Sequence, residues 1–98
     1  MKVTYRTKRL KKICTDAKTT ERYYGRIMAE RIHLRIDQIH AADTVEMLIQ
    51  SRIGRCHPLT QNRKGQFSMD LVHPYRLVFE KNGDEIQIAK ILEIVDYH

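Results

Sequence analysis

The chain has 98 residues, 42% of them hydrophobic and 31% charged, with 18 Lys and Arg against 12 Asp and Glu for a formal charge of +6. A chain this short buries roughly 60–65% of its unfolded surface, which supplies one core and excludes a deep, enclosed cofactor pocket. A single domain over residues 1–98 with no cofactor is therefore expected. No apolar run approaches the roughly 18–20 residues that cross a bilayer, and Met1-Lys2-Val3-Thr4-Tyr5-Arg6 lacks the apolar stretch of a secretory signal. These features predict a soluble cytoplasmic protein without membrane contact. In that compartment Cys14 and Cys56 read as reduced thiols.

The charge is uneven: residues 1–64 hold 15 Lys and Arg against 6 Asp and Glu, whereas residues 65–98 hold 3 against 6. A basic front of this kind favours polyanionic partners such as nucleic acid, a ribonucleoprotein surface or an acidic inhibitor protein. In chain order, Val3–Arg6 alternates apolar and polar residues as a short strand does, and Leu10 and Ile13 mark a short helix over Lys8–Ile13. Thr19 or Thr20 can cap a second helix. Its stripe of Tyr24, Ile27, Met28, Ile32, Ile36 and Ile39 runs to about His40, with Arg22, Arg26, Arg31 and Arg35 on the polar faces. Asp43-Thr44-Val45-Glu46 has capping-box spacing and opens a third, short helix through Ile49, stopped at Gly54.

Beyond Gly54 the period changes from 3.6 to 2. Phe67, Met69 and Leu71 alternate with Gln66, Ser68 and Asp70 as a half-buried strand, broken by His73-Pro74. Arg76–Lys81 is the next strand, with Leu77 and Phe79 on one face and Arg76 and Val78 on the other. Asn82-Gly83-Asp84 signals a hairpin turn. Ile86–Val95 is the last strand, with Ile86, Ile88, Leu92 and Ile94 on one face and Ala89, Ile91 and Val95 on the other; apolar residues on both sides predict a central position. The expectation is an α+β domain, an N-terminal strand and two or three helices packed on an antiparallel or mixed sheet.

Three groups of residues can carry chemistry. His57-Pro58-Leu59 and the turn Gln61-Asn62-Arg63-Lys64-Gly65 bring together an imidazole, a guanidinium, an ammonium and backbone N–H donors, either a phosphate clamp or a solvated turn. Arg76, in mid-strand, needs an anionic partner, either a carboxylate or a phosphate. Asp96-Tyr97-His98 offers an acceptor, a phenol and an imidazole for moving protons at a phosphodiester, held by the strand that ends at Val95. Cys14, Cys56, His57 and His98 fit no zinc spacing, and adjacent Cys56 and His57 point apart in extended chain, so no metal site is expected. His33, His40 and His73 read as solvated.

The segments His57-Pro58-Leu59, Asn62-Arg63-Lys64-Gly65-Gln66-Phe67-Ser68, Tyr75-Arg76-Leu77-Val78-Phe79 and Ile94-Val95-Asp96-Tyr97-His98 resemble the HigB family of plasmid-maintenance killer toxins, within the RelE/ParE toxin superfamily. The resemblance implies a RelE-like fold and a ribosome-dependent endoribonuclease that cuts messenger RNA during translation without metal. It also implies a cognate HigA-like helix-turn-helix antitoxin through which alone operator DNA would be bound. Carried onto this chain, it makes His57, Arg76, Asp96, Tyr97 and His98 the catalytic set and Arg63 and Lys64, with Asn62 beside them, the RNA contact; Arg22 and Arg26 are added as basic ribosome contacts. Two rival readings differ in class. A ParE-like gyrase ligand would leave His57 and Asp96-Tyr97-His98 without a task, and a plain nucleic-acid-binding module would want a tight helix-turn-helix pair that the long arginine-bearing helix does not offer.

Overall fold

The computed structural model describes residues 1–96; Tyr97 and His98, both candidate catalytic residues, lie outside the described residues. Strand β1 (Lys2–Tyr5) leads into helices α1 (Lys8–Thr15), α2 (Ala17–Ala41) and α3 (Val45–Gln50), and a 3₁₀ turn (Ile53–Arg55) follows. Strand β2 (His57–Pro58), a second 3₁₀ turn (Gln61–Arg63), β3 (Gln66–Asp70), β4 (Tyr75–Asn82) and β5 (Ile88–Asp96) complete the order. The five strands form one mixed sheet in the order β1-β5-β4-β3-β2, parallel only between β1 and β5. The expected α+β architecture is observed, and β5 is a central strand.

The helices begin where short polar side chains can satisfy free backbone N–H groups. Thr7 accepts from Leu10 N at 3.0 Å, Asp16 from Thr19 N at 3.2 Å and Thr44 from Met47 N at 3.2 Å. Asp16, not Thr19 or Thr20, therefore caps α2. Thr20 is instead fully buried and donates its hydroxyl to the carbonyl of Asp16 at 2.8 Å. Thr44 takes the cap expected of Asp43, and Glu46 accepts from Gln87 Nε2 at 2.8 Å. Helix α2 is not continuous: Gly25 sits at φ 81°, ψ 169° and kinks it. Beyond the kink Met28, Ala29, Ile32, Ile36 and Ile39 face the core, whereas Ile27, expected on the same stripe, is 73% exposed.

The core lies between α2 and one sheet face, where Ile32, Ile36 and Ile39 meet Met69, Leu77, Phe79, Ala89 and Ile91. The register explains one departure from simple alternation. Phe79 pairs with Ile91 but Val78 with Glu93, so an irregularity at Leu92 shifts the phase of β5. Ile94 then falls opposite Leu77 and joins Ala89 and Ile91 on the core face, contrary to its expected grouping with Ile88. The shift turns Glu93 and Val95 onto the other face, beside Val78 and Arg76. Two further departures concern strand limits. The dipeptide β2 is too short for periodicity to reveal, and β5 begins at Ile88 rather than Ile86, so the hairpin loop signalled by Asn82-Gly83-Asp84 spans residues 83–87.

The kink supplies a test of backbone strain. A Cβ added at Gly25 would meet nothing within 4 Å, so its cost is conformational alone, about 1–3 kcal/mol for a non-glycine residue in that region. Gly25→Ala is expected to lower stability by that amount in urea unfolding. An unchanged midpoint would show that α2 can straighten freely.

Candidate active site

On the sheet face opposite the helices, alternation and register line up two adjacent rows. The first runs His57–Ser68–Val78–Glu93 across β2, β3, β4 and β5, and the second Asp70–Arg76–Val95 across β3, β4 and β5. The turn between β2 and β3 folds over this face. From it Arg63 donates to Gln66 Oε1 at 3.0 Å and to Glu93 Oε1 at 2.7 Å, lying across β4 between them. Ser68 and Val78 beneath are fully buried. The Ser68 hydroxyl has no hydrogen-bond partner among the described residues, an arrangement that ordinarily costs about 1–3 kcal/mol.

The second row is an ion-pair cluster. Arg76 Nη1 donates to Asp70 Oδ1 at 2.6 Å, both side chains about one quarter exposed, and Arg55 Nε approaches Asp70 Oδ2 at 3.4 Å. Arg35 reaches from α2 to the Asp70 carbonyl at 2.7 Å; burial, with neighbouring Arg31, pulls its guanidinium below its ordinary value. Three guanidiniums from three elements thus meet at one residue. Two of them share its carboxylate and the third takes its carbonyl, so positive charge is in excess there, and planar guanidinium donors suit an anion. Strand spacing of about 4.8 Å and a rise of about 3.4 Å per residue put the Cα atoms of His57 and Arg76 on the order of 12 Å apart, room for a phosphodiester between an imidazole and a guanidinium.

The turn before β2 is built from unusual backbone. Arg52 (φ 54°), Gly54 (φ 58°) and Arg55 (φ 52°) are all left-handed, at a cost of about 1–2 kcal/mol for each arginine. A Cβ on Gly54 would fall 2.7 Å from Arg35 Nε, so a larger residue there would push the Arg35 side chain from its place against the turn. The turn ends with the Arg55 carbonyl 2.7 Å from His57 Nδ1.

The sequence-derived residues divide as follows. His57, Arg63 and Arg76 come together on this face. Asn62 and Lys64 are exposed beside Arg63. Asp96 is exposed and pairs in register with Tyr75, one residue out of phase with Arg76. Arg22 and Arg26 belong to the helical layer on the far side of the sheet, where Arg26 pairs with Glu30 at 3.3 Å, so they do not join the site. Asp70, Glu93 and Arg55 were missed. Asp70 was legible as a carboxylate sharing a half-buried strand with the candidate turn, but Glu93 reaches this face only through the irregularity at Leu92, and Arg55 only through left-handed backbone. Among the described residues no group of three His, Cys, Asp or Glu is placed to hold a metal ion.

No family model and no curated protein matches the chain. Solved structures do. A YoeB/ParE toxin from Agrobacterium tumefaciens superposes with a TM-score of 0.65 at 16% identity over 100% of both chains. The YoeB dimer from Staphylococcus aureus gives 0.63 at 22% identity over 100% of this chain and 97% of that one, and the YoeB–YefM complex from the same organism gives the same values. This chain has the fold of the YoeB/ParE toxins. It covers the whole of that fold, with no helix among the described residues long and apolar enough to cross a membrane.

Both thiols lie off this face. Cys14 and Cys56 are free and buried, and burial pushes each up to about 12. At pH 8 a thiol reagent is expected to modify neither in the native protein and both on unfolding, as read by absorbance of the released chromophore. Because the folded values are raised, this contribution to stability is complete below about pH 8.5, the ordinary thiol value, and is lost as pH rises toward 12. Rapid native labelling would mean that the core around α1 or the 3₁₀ turn opens readily.

Proposed function

We propose that this protein is the toxin of a type II toxin–antitoxin pair, a HigB-like endoribonuclease that cuts messenger RNA on the translating ribosome. The observation that carries the reading is the two-row sheet face, which gathers the imidazole of His57 and the guanidiniums of Arg76 and Arg63 on a scaffold of the YoeB/ParE type. In this mechanism Arg76, braced by Asp70, stabilises the charge that develops on the phosphate as the 2′-oxygen attacks, the kind of preorganised electrostatic contribution that is usually the largest in such reactions. Lys64 and Arg63 hold the RNA backbone, Arg63 exchanging Glu93 for a phosphate oxygen. His57 and the terminal His98 serve as the proton-transfer pair, with Asp96 and Tyr97 orienting the imidazole and the nucleotide. Asp70 and Glu93 are engaged by arginines and serve to hold those guanidiniums in place. The ribosome supplies the alignment of the 2′-hydroxyl that a shallow face does not.

The partner proposed is a HigA-like helix-turn-helix antitoxin that silences the toxin and carries the pair to operator DNA. The YoeB–YefM complex from Staphylococcus aureus, a structure of the same fold, supports an antitoxin partner. The cytoplasm is the proposed site of action, since the substrate is translated messenger RNA.

Induction of the chain alone is expected to arrest bacterial growth, with primer extension showing cleavage of messenger RNA only where ribosomes are engaged. Arg76→Ala, or a chain ending at Tyr97, should each slow cutting on the order of 10²- to 10⁴-fold. Equal cutting of naked RNA with and without ribosomes would contradict the mechanism, and growth arrest with intact RNA would contradict the nuclease itself.

Charge gives a separate test. Replacing Arg63 and Lys64 together by Ala is expected to weaken ribosome binding and flatten its salt dependence, by roughly 0.7–0.9 in log–log slope for each phosphate that is no longer neutralised. Identical binding curves from 50 to 200 mM salt, concentrations over which such contacts change affinity by roughly tenfold or more, would return the turn to a purely structural role.

A further inference from the structure

We infer that Arg55 is a positioning residue whose backbone carbonyl, held under the His57 imidazole by the left-handed turn, fixes the proton on Nδ1 and leaves Nε2 as the base that takes the 2′-hydroxyl proton. The inference rests on the nuclease reading and names which histidine begins the reaction.

A carbonyl oxygen can only accept, so its 2.7 Å contact with Nδ1 requires the proton to be on that nitrogen. A neutral imidazole carries one N–H, so the lone pair is on Nε2, across the ring and away from the turn. The partner of one ring nitrogen thereby sets the role of the other. The geometry is not an accident of extended chain, because β2 is only His57–Pro58 and the residues before it are held in strained conformations. Arg55 N donates to Arg52 O at 3.2 Å and Cys56 N to Ile53 O at 3.0 Å, closing the turn. From outside, Gly54 abuts Arg35, and the Arg55 guanidinium meets Asp70. Backbone strain that the surroundings over-determine points to a function for the strained segment. Here the same residue ties the candidate base to Asp70, the carboxylate that braces the phosphate-binding Arg76.

In the reaction the 2′-oxygen bonds to phosphorus, its proton passes to His57 Nε2, and the bond from phosphorus to the 5′-oxygen breaks. That oxygen leaves with a proton from His98 or water, and a 2′,3′-cyclic phosphate remains. When Nε2 is protonated the Nδ1–H bond to the Arg55 carbonyl becomes charge-assisted and shortens. The carbonyl thus stabilises the imidazolium as it forms, without itself touching substrate.

The test is the ¹⁵N spectrum of the histidine side chains in the full chain, with His57 assigned by its loss in His57→Gln. In the neutral ring, Nδ1 is expected to show the shift of an N–H nitrogen and Nε2 that of a bare one. Arg55→Ala keeps the carbonyl and should preserve this pattern. Arg55→Pro, whose ring fixes φ near −65°, should displace the carbonyl and lose it. If Arg55 acts through His57, Arg55→Pro and His57→Gln should each slow cleavage of translated messenger RNA by a similar factor, on the order of 10²-fold or more, and the double variant should be no slower. A wild-type His57 with its proton on Nε2, or evenly shared, overturns the inference even if the proline variant fails to fold. So do multiplicative losses in the double variant. The expected tautomer in a protein that leaves translated RNA intact overturns instead the nuclease reading beneath it.

Discussion

Asp70 is the joint on which the rest of the site turns. It ends β3, and its side chain and carbonyl together receive guanidiniums from α2, from the 3₁₀ turn and from β4. Arg76 comes from a strand already paired with β3, whereas Arg35 and Arg55 bring in a helix and a turn from outside the sheet. Charged pairs at this depth contribute little net stability, because desolvation offsets much of their attraction. What they contribute is geometry. A guanidinium bonded on one side keeps its other N–H groups aimed in a fixed direction, which a solvated arginine does not.

The two rows of the sheet face divide the work by environment. Arg63 spans the first row, from the basic turn to Glu93, and covers Ser68 and Val78. The second row is more open and carries the densest positive charge. Arg63 and Arg76 are already engaged by Glu93 and Asp70, so a phosphate bound at Arg63, as proposed, takes the place of the Glu93 carboxylate. Selectivity would follow, since an anion that cannot match two bonds from a planar guanidinium gains little by displacing Glu93.

Most of the fold was legible because its elements repeat. The stripe Met28, Ile32, Ile36 and Ile39 and the alternation of Phe67, Met69, Leu77 and Phe79 with polar neighbours repeat at helical and strand periods, and both proved to face the core. What escaped was set by single residues. Gly25 interrupts a stripe that periodicity alone would continue, leaving Ile27 in solvent. An irregularity at Leu92 moves Ile94 and Glu93 to faces that alternation would not assign them. Of the candidate site, His57, Arg63 and Arg76 were readable as types that phosphate chemistry uses, whereas Asp70, Glu93 and Arg55 acquire meaning only from pairing across strands. Tyr97 and His98 lie outside the described residues.

The sheet is assembled from contacts of two very different ranges. Strands β2 to β5 form a meander in which each pairs with its neighbour in sequence, whereas β1 must find β5 across nearly the whole chain. Closing so long a loop costs more entropy than turning a hairpin, and contacts of that range are the slow ones in folding. Both site rows lie entirely within the meander. Detachment of β1 at the far edge therefore leaves Asp70, Arg76, His57 and Glu93 in register, and the candidate site belongs to the locally folding half of the molecule.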